Sequence, residues 1–131
     1  MENIDRAAGK AGRDPSGIKL VAVTKTVGPD AIKEAIQAGV RILGENKVQE
    51  AMSKHRLVEG AQWHMIGHLQ TNKAKDAVKI FDMVHSVDTL HLAQSLDALA
   101  VRYGVAMKIL LEVNVSGEES KYGLKKADVL Q

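Results

Sequence analysis

The sequence predicts an α/β fold built on a parallel sheet, and three observations carry that prediction. Short apolar runs alternate with longer amphipathic stretches. The boundaries between them are marked by glycine, proline and aspartate. Polar, potentially reactive side chains recur just past the apolar runs, as they do where strands of a parallel sheet end at one pole. The first run, Leu20-Val21-Ala22-Val23, is followed by Thr24 and Lys25. A continuous run of this kind suits a strand covered on both faces, and Lys25 then falls at its carboxyl end.

Taken in order, Met1 to Ala11 reads as a short helix. It is closed by the turn Gly12-Arg13-Asp14-Pro15, because the residue before proline is driven out of helical geometry. The first strand covers Leu20 to Thr24. Gly28-Pro29-Asp30 opens a helix, with proline tolerated in the first turn and aspartate favoured at the positive end of the helix dipole. Its apolar stripe is Ala31, Ile32, Ala35 and Ile36, and Gly39 suits a left-handed stop. A second strand is expected over Val40 to Leu43, followed by Gly44-Glu45-Asn46. A helix from Lys47 to Leu57 then places Val48, Ala51, Met52 and His55 on one side.

The third strand is Gln62 to Ile66, closed by Gly67, and Thr71 or Asn72 caps a short helix through Val78. Asp82 to Val87 is the fourth strand. Asp88 caps the clearest helix, with Leu92, Leu96, Leu99 and Tyr103 among its apolar positions and Gly104 at its end. The fifth strand, Lys108 to Val115, puts Ile109, Leu111, Val113 and Val115 on one face and Leu110, Glu112 and Asn114 on the other. A further helix begins near Lys125. Right-handed βαβ units of this kind build either an open doubly wound sheet or a (β/α)8 barrel. The open sheet is completed within 131 residues, whereas a barrel needs roughly 200 or more.

Composition narrows the function. Hydrophobic residues make up 45% of the chain, which suits a globular protein with a real core. The absence of cysteine excludes disulfides and thiolate metal sites and fits a reducing cytoplasm. No apolar run is long enough to span a membrane, and the first twelve residues have no apolar signal core. A balance of 18 basic against 16 acidic residues, with 3% aromatic residues, argues against nucleic-acid binding.

Five strand ends carry candidate chemistry: Lys25; Glu45 with Asn46; His68; His85 with Ser86 and Asp88; and Asn114 with Ser116. A lysine at a strand end is commonly just the polar stop of a buried strand. Partly buried, its amine has a lowered pKa and forms an imine with an aldehyde. His64 and His68 are four apart, but the segment reads as strand plus glycine and no glutamate follows His64, so the helical zinc pair does not apply. His55 and His91 read as solvated helix positions. No dinucleotide or Walker-type glycine pattern occurs. Ser86 and Ser116 suit capping or turns better than nucleophilic roles, since no base and orienting acid accompany them.

The strings LVAVTKTV, GENKVQE, WHMIGHLQTNK, HSVD and LLEVNVSGEESKYGL follow one another in the order and spacing of a known family. The chain resembles the pyridoxal phosphate homeostasis proteins, YggS/PROSC-like relatives of the alanine racemase N-terminal domain, from about Ala11 to its last residue. The resemblance implies a (β/α)8 TIM-type barrel of fold type III, with pyridoxal 5'-phosphate (PLP) held as a Schiff base by Lys25. It further implies cofactor-pocket positions at Asn46, His64, Ser86 and Asn114, and a lysine associated with cofactor handling at Lys121. The family commonly carries a second lysine two residues after the first; here that position is Val27.

The match accounts for five of eight barrel strands, so the expectation is a single, C-terminally incomplete β/α domain forming a partial barrel. The family's phosphate-binding loops follow the seventh and eighth strands and have no counterpart here. Two open edges favour pairing with another chain, although the family resemblance implies a monomer. The leading functional expectation is a PLP carrier or buffer in the cytoplasm, serving PLP-dependent apoenzymes and performing no catalysis. A rival is a PLP-dependent racemase or decarboxylase, which needs a second acid/base opposed across the cofactor and a carboxylate pocket. A third reading is a truncated scaffold that binds nothing.

Overall fold

A computed structural model describes residues 2–129. Helix α1 covers Glu2–Lys10, with acidic residues in its first turn, Lys10 in its last, and Ala8 buried. Asp14 then caps a single 3-10 turn over Pro15–Gly17 by accepting from the Ser16 amide. Four strand–helix units follow: β1 (Ala22–Val23) with α2 (Pro29–Gln37), β2 (Ile42–Glu45) with α3 (Val48–His55), β3 (Gln62–Met65) with α4 (Ala74–Ala77), and β4 (Met83–Val87) with α5 (Leu90–Tyr103). Strand β5 (Lys108–Leu111) completes a five-stranded sheet, and β6 (Val113–Asn114) pairs separately with β7 (Leu124–Lys125).

Every pairing in the large sheet is parallel, and the spatial order is β1-β2-β3-β4-β5. This order decides between the two architectures. A doubly wound sheet reverses its strand order at a switch point, whereas a (β/α)8 barrel adds each strand beside the last. The chain forms five consecutive strands of the barrel type.

The register separates the two faces. Leu43 lies beside Trp63, and Met65 beside Val84; these join Val87 against Ile32, Val48, Ala51, Leu92 and Leu96 of the helices in one core. Gly44, His64 and Met83 lie next to one another on the opposite, inner face. Helix α5 shows how the sequence enforces this arrangement. Thr89 accepts from the Leu92 amide, Leu92, Leu96 and Ala100 are buried at intervals of four, and Gly104 ends the helix at φ 65°.

Several boundaries differ from the sequence expectation. Strand β1 has two residues, and Leu20 and Val23 are 47% and 51% exposed instead of covered on both faces. Val23 is level with Gly44 on the inner face, away from the helix-covered core, and β1 has one neighbouring strand among the described residues. The second strand lies two residues later than Val40–Leu43, which places Glu45 inside it. Thr71 and Asn72 begin a 3-10 turn, and Gln70 precedes it without a side-chain cap. Asp88 does not cap α5; Thr89 does, and Asp88 is engaged by His68. The fifth strand does not run to Val115. It breaks at Glu112, whose amide donates to Val87 and whose carbonyl accepts from Leu124, so the ladder passes from β5 to the β6–β7 pair. Where a helix is expected from Lys125, the structure has the end of β7 at Lys125, a 3-10 turn over Lys126–Asp128 and its cap at Val129. Leu130 and Gln131, like Met1, lie outside the described residues.

Candidate functional site

Thr24 ends the pairing of β1 by donating its amide to the Gly44 carbonyl at 3.0 Å. The chain then turns sharply, with the Val27 amide returning to the Thr24 carbonyl at 3.0 Å. Lys25 is the second residue of this turn and Thr26 the third, at φ 64°. Glycine or asparagine normally occupies such a position, and a β-branched residue there carries strain of about 1–2 kcal/mol. Lys25 itself is exposed and forms no ion pair among the described residues.

The turn is held from the helix side. Lys54, on α3, donates to the Thr24 carbonyl at 2.7 Å, to Glu45 Oε1 at 2.8 Å and to Glu50 Oε1 at 2.7 Å. Glu45 Oε1 also accepts from the Thr24 hydroxyl at 2.7 Å, and Glu50 Oε1 from the Thr26 amide at 2.5 Å. Burial opposes the charge on Lys54, but its hydrogen bonds to Glu45 and Glu50 outweigh that and raise its pKa above the ordinary lysine range. The bond from Lys54, then that from the Thr26 amide, hold Glu50 below the usual carboxylate range. Glu45 is fully buried, and its Oε2 has no hydrogen-bond partner among the described residues.

The sequence singles out Glu45 as a strand-end residue but not its partners Glu50 and Lys54, although a signal is present. Lys54 follows Ala51 by three on the apolar side of α3, and Glu45 follows an apolar run, so each charge occupies a position that pattern alone assigns to the core. Opposite charges at two buried positions stabilise one another only as a pair.

The other expected residues gather in small groups. Asn46 follows β2 and is exposed, with its backbone against Gly67; a Cβ at Gly67 would lie 2.4 Å from the Asn46 carbonyl oxygen. Ser86, buried in β4, donates to the Gly67 carbonyl at 2.5 Å, so Gly67 bridges Asn46 and Ser86. His64 Nδ1 lies 2.9 Å from His85 Nε2 on the inner face, and one ring must donate while the other accepts. Burial lowers the pKa of both, and the neighbouring His85 lowers that of His64 further.

Asn114 organises the loop after β6. Its side-chain amide donates to the carbonyls of Glu118 and Lys121 at 2.8 and 3.3 Å, and its oxygen accepts from Ser116 and Gly117. Lys121 is exposed and paired with Glu118 at 2.6 Å. His68, past the end of β3, lies 3.3 Å from Asp88 and stacks on Tyr122 with ring centroids 3.7 Å apart. This contact brings the Asn114–Lys121 loop back over the strand ends. His55 is half-buried beside Trp63 instead of fully solvated, whereas His91 is exposed. Lys25 shares no hydrogen bond with the other five expected residues.

The Lys25 turn after β1, Asn46 after β2, His68 after β3 and the Asn114 loop after β5 lie past the carboxyl ends of these strands, where barrel folds place their sites. Ser86 is one residue from the end of β4, and His64 and His85 lie within β3 and β4. Over residues 1–131 the sequence matches the alanine racemase N-terminal domain. The chain belongs to that family. Within the alanine racemase N-terminal domain family, it is 38% identical over 127 residues to the pyridoxal phosphate homeostasis protein of Aquifex aeolicus. That match covers 95% of this chain and 56% of the relative. It is 40% identical over 133 residues to the protein of the same name from Escherichia coli K12, covering 98% and 57%. The structure of PipY from Synechococcus elongatus PCC7942, solved with PLP bound, superimposes with a TM-score of 0.81 at 39% identity, over 95% of this chain and 59% of PipY. An alanine racemase from Clostridium difficile 630 shares the fold at a TM-score of 0.67 and 17% identity. The chain thus spans a little over half the length of the curated relatives it matches.

Proposed function

We propose that this chain is the lysine-bearing part of a PLP-binding protein of intracellular PLP homeostasis, with Lys25 as the residue that holds the cofactor. The observation that carries the proposal is the place of Lys25 on a constrained turn at the carboxyl end of β1; its amine is exposed, not partly buried as the sequence reading expects, and has no ionic partner among the described residues. Relatives named for PLP homeostasis, and a neighbour solved with PLP, make this aldehyde the ligand of choice.

The donor set fits the aldehyde end of the cofactor. PLP, when bound, supplies an aldehyde whose carbon takes the lysine nitrogen while one water leaves, which gives a reversible Schiff base. The attacking amine must be neutral, so Lys25 gives up a proton before the bond forms. Asn46 and Ser86, tied through Gly67, and Asn114 with its loop supply neutral polar groups at the same pole. The neutral His64–His85 pair lines the inner face without adding a fixed charge. We assign contacts with the cofactor to Asn46, His64, Ser86 and Asn114, and cofactor handling to Lys121. The link is reversible by exchange with another amine, which suits delivery to PLP-dependent apoenzymes in the cytoplasm.

Adding PLP is expected to give the absorption of a lysine-bound Schiff base, and Lys25→Ala is expected to abolish it. Retained absorption in Lys25→Ala would reject the assignment. Turnover of a D- or L-amino acid that disappears in the same variant would replace the carrier reading with an enzyme.

A further inference from the structure

We infer that Glu45, Glu50 and Lys54 are positioning residues: together they clamp the Thr24–Val27 turn in the left-handed form from which Lys25 presents its amine. The assignment rests on the Lys25 reading above. None of the three touches Lys25, and all three hold the residues on either side of it. Lys54 and Glu45 bind the carbonyl and hydroxyl of Thr24, and Glu50 binds the amide of Thr26.

The need for a clamp follows from the backbone. Thr26 sits at φ 64°, a region in which a β-branched residue persists only when its surroundings over-determine it. Strand β1 offers little restraint: among the described residues it has two residues and one neighbouring strand, and the last hydrogen bond before the turn is that of the Thr24 amide. Opening the clamp lets Thr26 relax to negative φ, which rotates the peptide that follows Lys25.

The chemistry of the cluster points the same way. A buried lysine shared by two carboxylates is a poor source of net stability, because apolar residues of similar volume commonly serve as well or better. Buried charge networks instead fix geometry, here through directional bonds to two backbone groups and one hydroxyl. The orphaned Oε2 of Glu45 also marks a network arranged for geometry at the expense of complete hydrogen bonding.

Glu50 gives the most selective test, because it is partly solvent-accessible, with 25% of its side chain exposed, and its carboxylate oxygen meets the Thr26 amide directly. Three quantities would be compared in the unsubstituted protein, Glu50→Ala, Glu50→Gln and Lys54→Met. They are the rate at which borohydride fixes PLP on Lys25, hydrogen exchange of the Thr26 amide, and the thermal midpoint. In Glu50→Ala, labelling of Lys25 is expected to slow about tenfold and the Thr26 amide to exchange at least tenfold faster, as one lost hydrogen bond dictates. Glu50→Gln retains an oxygen acceptor, so it is expected to recover most of both while losing the charge. That recovery separates positioning from a general loss of stability, as does slowed labelling at a temperature where the variant is still fully folded by its thermal midpoint. The inference is overturned if Glu50→Ala labels at the original rate with an unchanged Thr26 amide, or if Glu50→Gln falls as far as Glu50→Ala. Lys54→Met repeats the test from the other side of the turn if it folds; if it does not, the Glu50 pair decides. Absence of label on Lys25 in the unsubstituted protein would instead reject the Lys25 reading, and the positioning role with it.

Discussion

His64 and His85 face each other at 2.9 Å, and burial disfavours the charged form of both rings, which ties them to the response to mild acid. Burial holds both below the ordinary 6.5 of histidine. A depressed histidine pKa means that the unfolded chain takes up the proton first, so stability is fully present above about pH 6.5 and declines as the pH falls toward the folded values. Glu50 acts in the same sense at lower pH: with its pKa lowered from 4.5, its contribution is present above that value and lost as the pH falls through the folded one. Lys54 acts at the alkaline end, its contribution being complete below 10.5 and lost as the pH rises through its raised folded value. Urea midpoints are therefore expected to be flat from pH 7 to 9 and to fall between pH 6.5 and 5. Replacing both histidines by glutamine should flatten that acidic limb. A midpoint that falls equally in the double variant would assign the acid sensitivity elsewhere.

At the scale of elements, the junction of β2, β3 and β4 depends on Gly67. An added Cβ would lie 2.4 Å from the Asn46 carbonyl oxygen, which is backbone and has little freedom to yield. At Gly44 the nearest obstacle is the tip of Ile66 at 2.9 Å, a flexible side chain. Gly67→Ala is thus expected to lower stability by about 1–3 kcal/mol, and Gly44→Ala by less. It should also displace Asn46 and weaken PLP binding. Equal midpoints for the two variants, measured by urea unfolding, would contradict this ordering.

The elements also show what could be read beforehand. Alternating apolar runs and glycine stops located α2, α5 and the five main strands, because burial and helix ends leave local marks such as Gly39 and Gly104, whereas the N-cap of α5 fell one residue later than expected. They did not show that β1 would be a two-residue edge or that Glu112 would interrupt the fifth strand, since both depend on which strands lie alongside. The candidate site divides in the same way. Lys25 stands out at a strand end, whereas its support comes from Glu45, Glu50 and Lys54, which are brought together only when α3 packs behind β1 and β2.

For these 131 residues taken together, the two outer strands of the large sheet are the notable surfaces. Among the described residues β1 and β5 each pair on one side, and Val23, Leu110 and Leu111 are 51%, 46% and 51% exposed. Unpaired apolar strand edges recruit other strands. Prepared as these 131 residues, the chain is expected to grow in apparent mass with concentration. Leu110→Lys should reduce that growth, as measured by light scattering, and a monomer at every concentration would show that the edges are inert.

One amine, Lys25 on its clamped turn, is proposed as the anchor for PLP. Its most direct test is to mix the protein with PLP, reduce with borohydride, digest, and map the added mass across every lysine by peptide sequencing. The account predicts the label on Lys25, with none appearing there after Lys25→Ala. A label spread over exposed lysines such as Lys121, or unchanged in Lys25→Ala, would contradict it.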